Sequence, residues 1–219
     1  MTKFKRLLPL FLLAVVFSAC QKMPDIEQLS SDLMVYTHYD NTCDFSQYKT
    51  FYIPEGLVKL DSKQPEPTYY TKDDPRARQV LEAVVSEMKA RGYVQVSNPD
   101  DADLGVVMAY VKNTNEYIGY VDPYWWWYDY YWPIDYWDPY YPCWIPYYPY
   151  PVSYSYTVNN LVTEIIALKD IDNGKKQIPF VWTSILSGIE TSNQLNISKA
   201  VSGIYQAFEQ SPYINRNAQ

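Results

Sequence analysis

The chain has 219 residues, 24 Tyr, 7 Trp and 7 Phe among them, and a formal charge of −7. Its length admits one or two domains with a sizeable core, which excludes a collagenous or wholly disordered chain. The acidic balance, with no cluster of Lys or Arg beyond the first few residues, argues against nucleic acid as a partner.

In chain order, Lys3, Lys5 and Arg6 precede the apolar run Leu7 to Phe17, and the small pair Ser18-Ala19 then leads to Cys20. This is the pattern of a signal peptide over residues 1–19. Eleven apolar residues broken by Pro9 are too few for a bilayer core that needs about 20 helical residues. A cysteine directly after the small pair predicts lipoprotein processing, with acyl chains on Cys20 holding the mature chain at a membrane. Phe17 stands where a lipobox usually carries Leu, and an ordinary secretory peptide cleaved nearby is the other reading. Processing would leave 15 cationic against 25 acidic side chains, a net −10. Gln21 after the lipid cysteine resembles the default for outer-membrane lipoproteins. The expected location is therefore the cell envelope, anchored at the outer membrane and facing either the periplasm or the surface. Polar residues 20–32 serve as the tether.

A first strand is predicted over 33–40 and a second over 48–53, ended by Pro54. The next twenty residues carry Pro54, Pro65, Pro67 and Pro75 with several charges, the composition of a loop. Asp74-Pro75 then supplies a helix cap and a first-turn proline, and Ala77, Val80, Leu81, Val84, Val85 and Met88 recur at helical spacing until Gly92 stops the helix. Short strands follow at 93–97 and 103–114, separated by an acidic turn at 98–102. Beyond an aromatic segment, a strand is predicted over 157–169, a tight turn at Asp172-Asn173-Gly174, and a strand over 178–188. Ile197, Ala200, Val201, Ile204, Ala207 and Phe208 mark the apolar face of a last helix over 195–209, with a tail at 211–219. The order β-β-α-β-β-(aromatic segment)-β-β-α predicts a single α+β domain over 33–210, a mainly antiparallel sheet with two helices on one face.

Four stretches carry a family resemblance: Asp44 to Pro54, the helix end Lys89-Ala90-Arg91-Gly92-Tyr93, the Ala102-Asp103-Leu104 step into a strand, and Phe180-Val181-Trp182. Over roughly residues 33–210 the chain resembles the domain-of-unknown-function 4136 family of envelope lipoproteins. The resemblance implies an envelope location and an α+β fold, and family members often carry a Tyr/Trp/Pro- or Gly-rich insertion at the place of the aromatic segment. It brings no catalytic residues.

Candidate chemistry is sparse. His38 is the one histidine, so any Ser-His or Cys-His catalysis must use it, and its place in a strand favours a half-buried sheet residue. Cys43 and Cys143 are left once Cys20 is lipidated, candidates for a disulfide that would close a loop of about 100 residues and contribute about 4.7 kcal/mol in the chain-entropy model. Two independent thiols are the alternative. No nucleophile elbow, Walker motif or dinucleotide fingerprint occurs. One His and two thiols cannot build a standard zinc site, and the acidic runs at 100–103 and 170–174 do not match a calcium loop. No metal, cofactor or catalytic residue is assigned.

The aromatic segment asks for a function. From Tyr117 to Tyr156, 14 Tyr and 6 Trp fill 20 of 40 positions, seven prolines recur from Pro123 to Pro151, and Lys and Arg are absent from Asp122 to Tyr156. Proline removes donors and fixes φ, so a continuous helix or central strand is excluded and an extended, turn-rich arm is expected. Its rings suit stacking on a glycan such as peptidoglycan or polysaccharide, a membrane interface, or packing against an envelope protein or the domain's own sheet. The candidate contact residues are Trp125, Trp126, Trp127, Tyr128, Trp132, Trp137, Tyr140, Trp144 and Tyr147. The residues thus point to a noncatalytic lipid-anchored envelope domain with an aromatic binding arm. The alternative is an envelope hydrolase using a carboxylate pair, which would need two acids converging across a cleft.

Overall fold

A computed structural model describes residues 33–61, 64–112, 145–147, 159–171, 177–191 and 194–217. Strands β1 (Met34–Tyr39), β2 (Thr50–Tyr52), β3 (Gly56–Asp61) and β4 (Gln64–Thr71) come first, then helix α1 (Pro75–Ala90). After α1 come β5 (Val94–Gln95), β6 (Leu104–Lys112), β7 (Ile145–Tyr147), β8 (Asn160–Ala167), β9 (Gln177–Ser187), the hairpin β10 (Glu190–Thr191) and β11 (Gln194–Leu195), and helix α2 (Ile197–Glu209). The α+β class with two helices agrees with the sequence expectation.

The sheet runs β1-β9-β8-β6-β2-β5. Strands β2 and β3 share one side of β6, at Leu104–Gly105 and at Ala109–Lys112. Strand β4 lies outside β3.

Two expectations are corrected here. The sheet is mixed, not mainly antiparallel: among the described residues β1–β9, β3–β4, β6–β8 and β8–β9 pair antiparallel, whereas β2–β5, β2–β6, β3–β6 and β7–β9 pair parallel. For the three pairs that involve β2 or β3 the cause is α1, which carries the chain back across the sheet between β4 and β5, and a return by crossover makes parallel neighbours. The proline-rich loop expected after Pro54 is instead the β3–β4 hairpin. Pro65 and Pro67 fall on β4, whose one partner among the described residues is β3, and an edge strand tolerates residues that cannot donate to a ladder.

The first helix follows its sequence signals. The Asp74 carboxylate accepts from Arg76 N at 2.8 Å, Pro75 occupies the first turn, and Gly92 takes φ +91° just past the end. Ala77, Val80, Leu81, Val84 and Met88 are buried. On α2, Asn196 caps by accepting from Lys199 N at 3.1 Å, and Ala200, Ile204, Ala207 and Phe208 are buried. Gly203 permits a close approach to the sheet, since a Cβ there would stand 2.9 Å from Leu186 Cδ1.

Both helices pack on one face, over Leu104, Val106, Met108, Leu161, Ile165, Trp182 and Leu186. The Arg91 guanidinium joins them, donating to Phe208 O at 2.8 Å and lying 4.9 Å over the Phe208 ring. The last residues also belong to the domain. Ile214 is buried, Trp182 Nε1 donates to Ser211 Oγ at 2.9 Å, Tyr213 stacks on Tyr39, and Arg216 N donates to Arg91 O.

Replacing Asp74 by alanine is expected to cost about 1 kcal/mol, the usual loss for a carboxylate cap. The Arg76 side chain holds the Asp74 carboxyl below its usual range. Because the folded state depresses this group, its contribution is present at neutral pH and is lost as pH falls through the folded value. The urea midpoints of wild type and Asp74→Ala should therefore differ at pH 7 and begin to approach each other only as pH falls below about 4.

Candidate functional site

Strands β6 and β8 pair along their whole length, from Leu104↔Ala167 to Val111↔Asn160. Adjacent antiparallel strands of this kind need a turn of about two to five residues. Here 47 residues, Asn113 to Asn159, separate them. The aromatic segment is therefore an insertion at a hairpin tip that the sheet itself does not require. Its one described portion, Ile145–Tyr147, pairs in parallel with Gln177–Pro179, beyond the opposite end of the same strands.

The sheet has a second face, turned away from the helices. Strand alternation puts Val107, Ala109 and Val111 of β6, Asn160, Val162, Glu164 and Ile166 of β8, and Thr183, Ile185 and Ser187 of β9 on that face. These side chains are between 1% and 8% exposed, yet none belongs to the cluster beneath the helices. Leu168 covers the end near β7, its Cδ1 3.2 Å from where a Cβ on Gly105 would stand.

Polar groups form rows across this apolar face. His38, Thr183 and Glu164 are register neighbours on β1, β9 and β8, with Thr183 Oγ1 3.5 Å from Glu164 Oε1. The Ser187 hydroxyl hydrogen-bonds the Asn160 side-chain oxygen four residues further along the strands, beyond the Val162↔Ile185 pair. His38 is half-buried as expected, with the Tyr36 hydroxyl 3.1 Å from its Nδ1.

Cys43 sits elsewhere, against the helix-side core. It is a free thiol that donates to the Tyr48 hydroxyl at 3.8 Å, and that hydroxyl donates in turn to Asp170. Burial pushes the thiol up to about 11. Burial, with Asp170 accepting from it, also raises the Tyr48 phenol. A thiol so raised stays protonated at neutral pH and is a poor nucleophile. His38, on the opposite face, is not brought to it. Cys20, Cys143 and the arm residues Trp125, Trp126, Trp127, Tyr128, Trp132, Trp137, Tyr140 and Trp144 lie outside the described residues, while Tyr147 falls on β7 opposite Pro179. The Asp172-Asn173-Gly174 turn lies outside them too.

The described acidic residues mostly serve turns. Asp44 accepts from Ser46 and Gln47, and the Ser46 hydroxyl is the main cause of its lowered pKa. Asp103 accepts from Lys49 N at 2.6 Å and Thr50 N at 3.2 Å, and Asn98 caps the short turn at Pro99–Asp101. Among the described residues no three His, Cys, Asp or Glu side chains gather as a metal would need. An open groove of about 860 Å3 beside β2 and β5 is lined by Tyr52, Glu55, Lys89, Tyr93 and Gln95 among others. No helix of the described residues is long and apolar enough to cross a membrane.

The model of a domain of unknown function, DUF4136, matches residues 35–213. The chain belongs to the DUF4136 family. A crystal structure of a DUF4136 family protein from Bacteroides thetaiotaomicron is similar at 37% identity, over 84% of this chain and 98% of that one, with a TM-score of 0.67. Weaker likenesses are to PelC dodecamers from Paraburkholderia phytofirmans, at 13% and 14% identity and TM-scores of 0.41 and 0.40, over 84% of this chain and 99% of those. Among curated proteins, none matches the chain. The DUF4136 match spans β1 through Tyr213, so the aromatic segment lies inside the family domain and not beside it.

Sequence reasoning missed the polar rows because His38, Glu164 and Thr183 are far apart along the chain. One signal could have found the covered face. Leu104 to Val111 and Leu161 to Ala167 are nearly continuous apolar runs, the mark of strands covered on both sides.

Proposed function

We propose that this DUF4136 chain is a noncatalytic, lipid-anchored domain of the bacterial cell envelope, held by Cys20, whose aromatic arm binds an envelope glycan. The observation that carries the reading is the insertion of 47 residues between two strands paired to their tips. Loops longer than about 15 residues in a compact domain are usually either functional or linker segments, and the ring-rich composition here favours function. This one concentrates flat rings with polar tips, the chemistry of sugar stacking. A membrane surface would use the same rings but would gain nothing from cations, which the arm lacks. A partner protein would be recognised by Trp and Tyr anchors. Against a carboxylate hydrolase stand the roles of Asp44, Asp74 and Asp103, each spent on backbone or local side-chain donors.

The test is a pull-down of the mature domain with purified peptidoglycan, with and without residues 122–151. The full mature domain is expected to co-sediment and the shortened one to stay in solution. Retention of the shortened domain would reject the stacking reading.

A further inference from the structure

We propose that the outer edge of β1 pairs antiparallel with the same strand of a second copy of this chain, across a two-fold axis at Thr37. The strand lies at one end of the sheet, with β9 as its partner among the described residues. Asp40 N donates to Val181 O, so by the alternation of an antiparallel ladder His38↔Thr183 and Tyr36↔Ile185 are hydrogen-bonded pairs too. The N–H and C=O groups of Val35, Thr37 and Tyr39 therefore point away from β9. No backbone group among the described residues meets them.

The other outer strands of the sheet are guarded. Pro65 and Pro67 remove donors from β4, and β5 is two residues long. Devices of this kind keep sheet edges from joining other chains. Strand β1 has six residues without a proline, a Lys or a carboxylate, and it exposes Met34 and Tyr36 at 37% and 42%. An unguarded edge on an otherwise guarded sheet argues for a partner strand.

A second copy fits this edge. With Thr37 opposite Thr37, Val35 comes opposite Tyr39, and all three outward positions exchange both backbone hydrogen bonds with the other chain. Tyr36 then comes opposite His38 in the closer, non-hydrogen-bonded pairs, where cross-strand rings make contact. Both side chains share the face turned from the helices, and within one chain their rings already stack at 6.0 Å and 14°. The net charge of −7 opposes self-association in general, but no acidic or basic side chain of β1 contributes to it. Asp40 comes opposite Met34 and not opposite a second acid. A two-fold pairing also closes on itself, so assembly stops at two chains.

The contact is small. Six residues of strand present about 20 by 10 Å, roughly 200 Å2 a side, against roughly 800 Å2 in a standard stable interface. Pairing in solution is therefore weak, on the order of 0.1 mM. Chains anchored on one membrane would meet at a high effective concentration, and only this last step rests on the Cys20 reading.

Amide hydrogen exchange followed by NMR on residues 21–219, without lipid, tests the pairing apart from the anchor. The amides of Val35, Thr37 and Tyr39 are expected to exchange at least about threefold slower at about 1 mM than at about 20 µM. Those of Tyr36 and His38, already bonded to β9, should keep one rate. Thr37→Pro removes the central donor from both copies and should abolish the concentration dependence at Val35 and Tyr39. Rates at the three outward amides that do not change with concentration in the wild type, whether fast or slow, would overturn the proposal without recourse to the variant. Self-association seen by sedimentation that leaves those amides unchanged would overturn it as well, as would protection that still grows in a folded Thr37→Pro chain. Pairing in solution by a protein that proves to lack acyl chains on Cys20 would remove the membrane step alone.

Discussion

Replacing Trp182 by alanine is expected to cost about 3–5 kcal/mol, the range for deleting a buried large aromatic side chain. Trp182 is fully buried, with its ring 5.2 Å from that of Phe208 on α2 and its Nε1 donating to Ser211. It therefore joins β9, α2 and the C-terminal residues at one point. Removing it leaves a cavity and takes a donor from the fully buried Ser211 hydroxyl, which keeps only the Tyr213 hydroxyl, at 3.1 Å, as a side-chain partner among the described residues. Against a total stability of about 5–15 kcal/mol such a loss is severe. A domain of this size should melt roughly 6–20 °C lower. Trp182→Phe keeps the ring contact and gives up the hydrogen bond, so a loss of about 1–2 kcal/mol is expected. Thermal and urea unfolding of the two variants separates the packing part from the polar part. Equal losses in both would show that the Ser211 bond, not the ring, holds this corner.

The second large effect is on binding. Removing residues 122–151 takes away all six arm tryptophans and most of its tyrosines, and retention on peptidoglycan should vanish altogether. Single substitutions grade the effect. A tryptophan that acts as an anchor should cost about 2 kcal/mol or more when cut to alanine, roughly 30-fold in affinity, while most of its neighbours should cost less than 1 kcal/mol. Trp125, Trp126 and Trp127 are consecutive, so adjacent members of this run cannot share one ligand face if the backbone is extended, whereas Trp125 and Trp127 can. Trp126→Ala is therefore expected to differ from Trp125→Ala and Trp127→Ala. The melting temperature of the domain should be unchanged in all three.

Much of the fold is readable from local signals. Asp74-Pro75 and Gly92 bracket α1 because caps and left-handed ends act within a few residues, and the α2 face from Ile197 to Phe208 is equally local. The β3–β4 hairpin was hidden because Pro65 and Pro67 argue against a strand until β4 is known to be an edge. Parallel pairing was hidden for a related reason. Nothing between Thr50 and Lys112 says which strand β6 will lie beside, and the crossover through α1 decides it. The arm is plain from composition alone, since its rings, prolines and missing cations all fall in one window. The sheet face turned away from the helices is not, because that surface is assembled from β6, β8 and β9 across some eighty residues and becomes one object only in the sheet.

Trp182→Phe also provides the most direct test of the central claim, that the arm is the contact element. In this variant every remaining tryptophan lies between Trp125 and Trp144, so the emission reports on the arm alone. Titration with soluble glycan strands released from peptidoglycan should change that emission and shield it from acrylamide, saturating together with binding measured by sedimentation. Binding that saturates while the arm's emission and quenching stay unchanged would contradict the account.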